Sequence, residues 1–157
     1  MMENDQPTIS REMKVSKLRS GVVIDHLPPG SAMKAIQVLG ISDGSTLGIG
    51  MFFESKKMGR KDILKVENRT LTPREINKIA VISPEATVCI IKDYSVVDKF
   101  QVHLPDEVEG IIRCNNPNCV TNHEKIVTCF AVVEKDPLVV RCRYCERSMD
   151  RDEIDLT

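Results

Sequence analysis

Tryptophan is absent from this chain, which holds only two tyrosines and four phenylalanines, so any core must be built from aliphatic side chains. No run approaches the ~18 consecutive apolar residues that cross a bilayer, and no membrane partner is expected. The opening "MMENDQPTISREMK" mixes acids, bases and a proline and lacks the apolar stretch of an export signal. That points to a cytoplasmic protein, in a compartment where thiols stay reduced. Also missing are a GxxxxGK[ST] phosphate loop, a GxSxG elbow and an HExxH helix, as are internal repeats and low-complexity tracts. No catalytic residue is assigned, and the expectation is a protein that is not itself an enzyme.

What is present is a globular composition, with 41% apolar and 29% charged residues over 157 positions, enough for one ordinary domain or two small ones. The net charge of -1 conceals an asymmetry. Residues 1–105 carry 15 Lys/Arg against 12 Asp/Glu, whereas residues 106–157 carry 7 against 11. The first part favours an anionic ligand and the second repels one.

Within the first part, two extended runs flank "RSG", the second holding Val22, Val23 and Ile24, and "PPG" at 28–30 ends it. Ser31 is placed to cap a short helix over "AMKAIQVL", with Gly40 in the left-handed position that ends it. "TLGIGMFF" and "KDILKVEN" read as strands joined by "ESKKMGR". "TPRE" at 72–75 has the pattern of a capping box, with proline at the first helical position. Ile76, Ile79 and Ala80 share a face of the helix that follows, and Pro84 lies past its end. "ATVCII" and "YSVV" close the domain. Strand, helix, strand, strand, helix, strand predicts an α+β fold: a ferredoxin-like antiparallel sheet with two helices over roughly residues 10–100. "VHLPDEVEG" reads as a linker, dividing the chain into domains 1–105 and 106–157.

Cys114 and Cys119, then 22 residues, then Cys142 and Cys145 make two close cysteine pairs. Zn²⁺ takes four thiolates in a tetrahedron, and two short loops that each supply a pair meet that need. Between the pairs, "IVTCFAVVEKDPLVVR" reads as a hairpin. A segment this small has too little core to fold securely alone and requires a staple. In a reduced compartment a metal supplies it in preference to two local disulfides or a core of free thiols, which predicts one structural Zn²⁺ in a small zinc-ribbon or rubredoxin-like β domain. Cys89 and Cys129 sit mid-strand and read as small buried apolar residues. His123 is superfluous once four cysteines fill the shell. Four thiolates on Zn²⁺ carry a formal -2, so the module stands at about -6, which disfavours nucleic acid and favours a protein partner.

Asp25 and His26 end a strand, and Lys61, Lys65, Lys99 and Tyr94 occupy later ones. Aspartate accepts from ribose hydroxyls, lysines neutralise phosphate and tyrosine packs on a base. The same residues also fit a plain solvated face, or an Asp-His acid-base pair. Two other readings of the whole chain stand beside a nucleotide-binding one: a zinc-ribbon nucleic-acid-binding or transcription-associated protein, and a small metabolic enzyme.

"GVVIDHLPPG", "MGRKDILKVEN", "SPEATVCIIKDYSVV" and "CNNPNC…CRYCE" together resemble the regulatory chains of aspartate carbamoyltransferases, in order and spacing, over nearly all of the chain after its first dozen residues. The resemblance implies a non-catalytic subunit of pyrimidine biosynthesis. Its amino-terminal domain would bind nucleoside triphosphates (ATP, CTP, UTP) for allosteric control, and its zinc domain would dock on a catalytic chain. Homodimers of such chains bridge catalytic trimers in a dodecamer of six catalytic and six regulatory chains. Carried over onto matching positions, the nucleotide site comprises Val15, Leu18, Val23, Asp25, His26, Lys65, Cys89, Tyr94, Val96 and Lys99, with Lys61 nearby. Cys89 stands where familiar members have asparagine.

Overall fold

The computed structural model describes residues 17–41 and 44–157. In chain order the first part runs β1 (Gly21–Leu27), α1 (Ala32–Val38), β2 (Leu47–Ser55), β3 (Gly59–Glu67), α2 (Pro73–Ile82), β4 (Thr87–Lys92) and β5 (Ser95–Gln101). The sheet order is β2-β3-β1-β4-β5, every pairing antiparallel. This is the expected ferredoxin-like arrangement with β5 added beside β4. Strand side chains alternate between faces, and Val22, Ile24, Leu64, Val66 and Val88 are fully buried with Ala35, Ile79 and Ala80 of the helices. Val23, Asp25, Lys65 and Cys89 therefore fall on the other face. Of the two runs expected around "RSG", only the second is a strand; Lys17 and Leu18 are not in one, and 14–16 lie outside the described residues.

The start of α1 differs from expectation. Ser31 occupies the cap position, but its side chain caps nothing, its Oγ donating instead to the Pro28 carbonyl at 2.7 Å. The first helical amide, that of Ala32, donates to Asp62 Oδ2 at 2.9 Å, and Asp62 Oδ1 accepts from the Phe52 amide at 3.0 Å. A wholly buried carboxylate from β3 thus pins both the helix and a bulge in β2. At the far end, Gly40 (φ 61°) permits the Ile41 amide to reach the Ile36 carbonyl and its own amide to reach that of Gln37, the paired bonds of a Schellman stop.

The capping box at α2 forms as the four letters predict, with Thr72 Oγ1 accepting from the Glu75 amide and Glu75 Oε1 from that of Thr72. Arg69 ties Glu75 Oε2 at 2.6 Å to the Leu39 carbonyl that ends α1. Burial pushes the Glu75 carboxyl up, but the Arg69 hydrogen bond, the Thr72 amide and the guanidinium charge outweigh it and hold it below its ordinary 4.5. A depressed folded value contributes stability above 4.5 that is lost as pH falls through the lower value. Thr72→Ala should cost about 1 kcal/mol in denaturant melts at neutral pH, and Glu75→Gln should flatten the loss of stability below pH 4.5.

The remainder holds β6 (Glu107–Glu109), β7 (Ile112–Arg113), β8 (Cys129–Lys135), β9 (Leu138–Cys142), β10 (Ser148–Asp150) and β11 (Asp155–Leu156), as a four-stranded sheet β10-β9-β8-β6 and a pair β11-β7. The hairpin expected over "IVTCFAVVEKDPLVVR" is β8–β9. The stretch read as a linker is not one in packing terms. Val102, Leu104 and Val108 are buried, β6 pairs with β8, and a single cluster of buried side chains runs from Ile79 and Ile82 through these residues to Ile112 and Phe130. Among the described residues, no helix is long and apolar enough to cross a membrane.

Candidate functional site

Cys114, Cys119, Cys142 and Cys145 are brought together with all four sulfurs within 4.8 Å of one another, and none is in a disulfide. Bonds of ~2.3 Å to a tetrahedral ion imply sulfur–sulfur edges of about 3.8 Å; Cys114–Cys145 and Cys119–Cys142 measure 3.6 and 3.8 Å. The donor set fits a structural metal with no open coordination position. The loops are shaped for this. Asn122 Nδ2 donates to the Cys114 and Asn116 carbonyls, and the Asn118 amide bonds Asn116 Oδ1, closing the first loop. In the second, Glu146 (φ 65°) lets its amide reach the Cys142 carbonyl.

Electrostatics point the same way. Burial, joined by neighbouring thiols, pushes Cys114 up to about 12. At Cys145 burial also pushes upward, but hydrogen bonds from Asn116, the Arg147 amide and the adjoining thiols bring it to about 7. Four thiolates cannot share so small a volume without a cation, and a divalent ion supplies that charge. Cys129 stands apart and is half-exposed, not buried as expected, because it alternates along β8 with the buried Phe130 and so falls on the other face of the sheet; burial and then the Glu107 and Glu109 charges raise its thiol. His123 lies exposed, its Nε2 at 2.6 Å from the Pro117 carbonyl.

The residues singled out in the first part meet on the open face of the five-stranded sheet. Strand register sets Lys99, Cys89, Val23 and Lys65 side by side in one rank across β5, β4, β1 and β3. The next rank holds Asp25, Thr87 and Gln101. Lys61 Nζ grips the Asp25 carboxylate at 3.0 and 3.2 Å, and His26 Nδ1 lies 3.3 Å from Thr87 Oγ1. A bulge between Ile24 and Leu27, with His26 at φ 58°, swings the imidazole beside Asp25. Thr87 was missed, although its spacing of two from Cys89 announced the shared face. At the other end of β1, Leu18 packs against Gly21, while Tyr94 and Val96 are exposed on the β4–β5 hairpin. That hairpin turns on Asp93 and Tyr94 at φ 49° and 63°, a left-handed pair that side chains other than glycine adopt at a cost of roughly 1–2 kcal/mol each. The Tyr94 ring on this turn is 64% exposed. Val15 lies outside the described residues. Burial raises the Cys89 thiol above its ordinary 9.0, with the Lys99 charge opposing and Asp25 assisting, so it faces this surface as a neutral group.

A sheet with one face covered by helices and the other left uncovered by the described residues, joined to a four-thiolate module, defines a class of two-part, metal-stapled proteins. Within that class the chain belongs to the aspartate carbamoyltransferase regulatory chain family, and is a regulatory chain and not a catalytic one. The family model described as "Aspartate carbamoyltransferase regulatory chain, allosteric domain" matches residues 13–103, and that of the "metal binding domain" matches 106–155. Similar proteins named aspartate carbamoyltransferase regulatory chain include those of Pyrococcus abyssi (53% identical over 146 residues, 91% of this chain and 96% of the relative) and Pyrococcus horikoshii (51% over 146, 91% and 96%). That of Methanopyrus kandleri is 50% identical over 145 residues, covering 90% and 93%.

Proposed function

We propose that this chain confers nucleotide control on an aspartate carbamoyltransferase of pyrimidine biosynthesis in the cytoplasm. It binds ATP, CTP and UTP on the open sheet face of an allosteric domain, residues 1–105, and holds a catalytic chain through a zinc domain, residues 106–157, carrying one Zn²⁺. The observation that carries the reading is the rank Lys99–Cys89–Val23–Lys65, with Asp25, Lys61 and His26 at one end and Leu18, Tyr94 and Val96 at the other. The lysines suit phosphate, Asp25 a ribose hydroxyl, and the apolar end a base. Regulatory homodimers bridge catalytic trimers in a dodecamer of six and six. In support, β2 ends the sheet with Ile49 and Phe52 exposed, an edge that a second regulatory chain would cover. The acidic second module argues against nucleic acid.

The test is calorimetry of ATP, CTP and UTP on the full chain and on Cys89→Asn, alongside co-purification with the catalytic chain. All three triphosphates should bind the parent. Asparagine supplies a full donor and acceptor where a neutral thiol offers a weak contact, so the variant should bind about tenfold more tightly with an unchanged melting temperature. Absence of triphosphate binding to the parent would sink the reading. Equal affinities of parent and variant would remove Cys89 from the site and leave the other contacts standing.

A further inference from the structure

We propose that the cleft where the first turn of α2 meets the second module receives a carboxylate-rich segment of the catalytic chain, an assignment that rests on the regulatory role proposed above. The cleft, about 460 Å³, is lined by Arg74 of α2, Gly110, Arg113 of β7, Lys125, Val127 and Thr128 among others. Arg113 and Lys125 are an enclave in residues 106–157, which carry only 7 Lys/Arg against 11 Asp/Glu, and Arg74 of α2 adds a third cation. None of them takes part in the ion pairs among the described residues. Arg74 makes only long hydrogen bonds, 3.3 and 3.4 Å, to Thr157. Three cations facing one cleft, with Arg74 held only by those two bonds and Arg113 opposed across the strand pair by the single carboxylate of Asp155, leave charge to be met by anionic groups.

The shape says which anion. The surrounding backbone is satisfied internally, with the Gly110 amide on the Thr128 carbonyl, Thr128 Oγ1 on that of Ile112 and the Thr157 amide on that of Ile111. The cleft therefore offers charge and not a strand edge. Val127 is 67% exposed on its wall, an apolar contact suited to a peptide and wasted on free phosphate. A Cβ at Gly110 (φ 67°) would lie 3.4 Å from both Arg74 Nη1 and Val127 Cγ1, so bare backbone leaves room between guanidinium and valine. A long polyanion would run onto the acidic remainder of the module, whereas a short acidic segment ends before reaching it. Since one wall comes from α2 and the others from the metal-binding part, the occupant touches both halves at once.

The experiment compares the full chain with Arg113→Glu/Lys125→Glu and, as a gentler variant, Lys125→Gln. Affinity for the purified catalytic chain is measured at two salt concentrations, with metal content and triphosphate binding as controls on folding. The expected result is about tenfold or greater weakening for the reversal and about threefold for Lys125→Gln, with a shallower salt dependence. Folded variants that bind the catalytic chain as the parent does would overturn the assignment. So would inorganic pyrophosphate that binds the parent and is lost in the variants while catalytic-chain affinity holds, which would make the cleft a free-anion site. A parent chain that binds no catalytic chain would overturn this assignment and the regulatory role together.

Discussion

Stripping the metal with a mercurial should release about one zinc ion per chain and unfold the second half of the molecule. A structural zinc of this kind contributes an apparent ~10–16 kcal/mol, against a whole-domain stability of ~5–15 kcal/mol, so no other interaction in the module compensates for its loss. The four sulfurs fill the interior where a larger domain would have apolar side chains, since Cys114, Cys119 and Cys142 belong to the same buried cluster as Phe130, Val140 and Met149. Without the ion these sulfurs are linked to nothing, since none of them is in a disulfide. Metal analysis, thermal melting and sedimentation with the catalytic chain should show three losses together: the ion, the β8–β9 hairpin and the bound partner. Freshly purified protein without zinc, or melting unaffected by extraction, would defeat the expectation.

Lys99→Ala should weaken ATP, CTP and UTP by a similar factor, roughly tenfold to a hundredfold, the worth of one hydrogen bond to a charged group. The lysine sits on β5 in register with Cys89 and two strands away from Lys65's rank partner Val23, so in the proposed site it would address the phosphates from one side and Lys65 from the other. A phosphate contact carries no information about the base, and the three losses should therefore agree. Lys99 is exposed, so stability should stay within about 0.5 kcal/mol of the parent, and reduced binding cannot be blamed on unfolding. Calorimetry that finds all three affinities unchanged would remove Lys99 from the site; a loss confined to one base would move it from the phosphates to the base.

Local signals with a short physical range were readable from the letters. "TPRE" specifies its capping box within four residues, alternation in "GVVID" and "TVCII" decides which side chains share the open face, and the paired cysteines announce a metal without help from the fold. What the letters concealed depends on distant partners. Asp62 lies thirty positions from the amide it caps, and nothing in "KDIL" distinguishes a buried carboxylate from a solvated one. Ser31 has the type and place of a cap, but its backbone is already helical (φ -93°, ψ -4°) and not extended as a capping residue's is, and Asp62 takes the first amide instead. "VHLPDEVEG" has the polarity of a tether, but Val102, Leu104 and Val108 are spaced through it, and the pairing of β6 with β8 and the shared cluster with α2 bury them. The cationic cleft is assembled from positions 74 to 157 and has no sequence signature at all.

The unbroken run of buried side chains from Ile79 through Val108 to Phe130 joins the two halves by packing. Where a supple tether would let each half fluctuate in private, a shared interior forces every shift in α2 to be answered by the strands that carry the cysteines. Energy exchanged in this way is reciprocal: if filling the sheet face changes how firmly the sulfurs hold their ion, then the ion changes the grip on the triphosphate by the same factor.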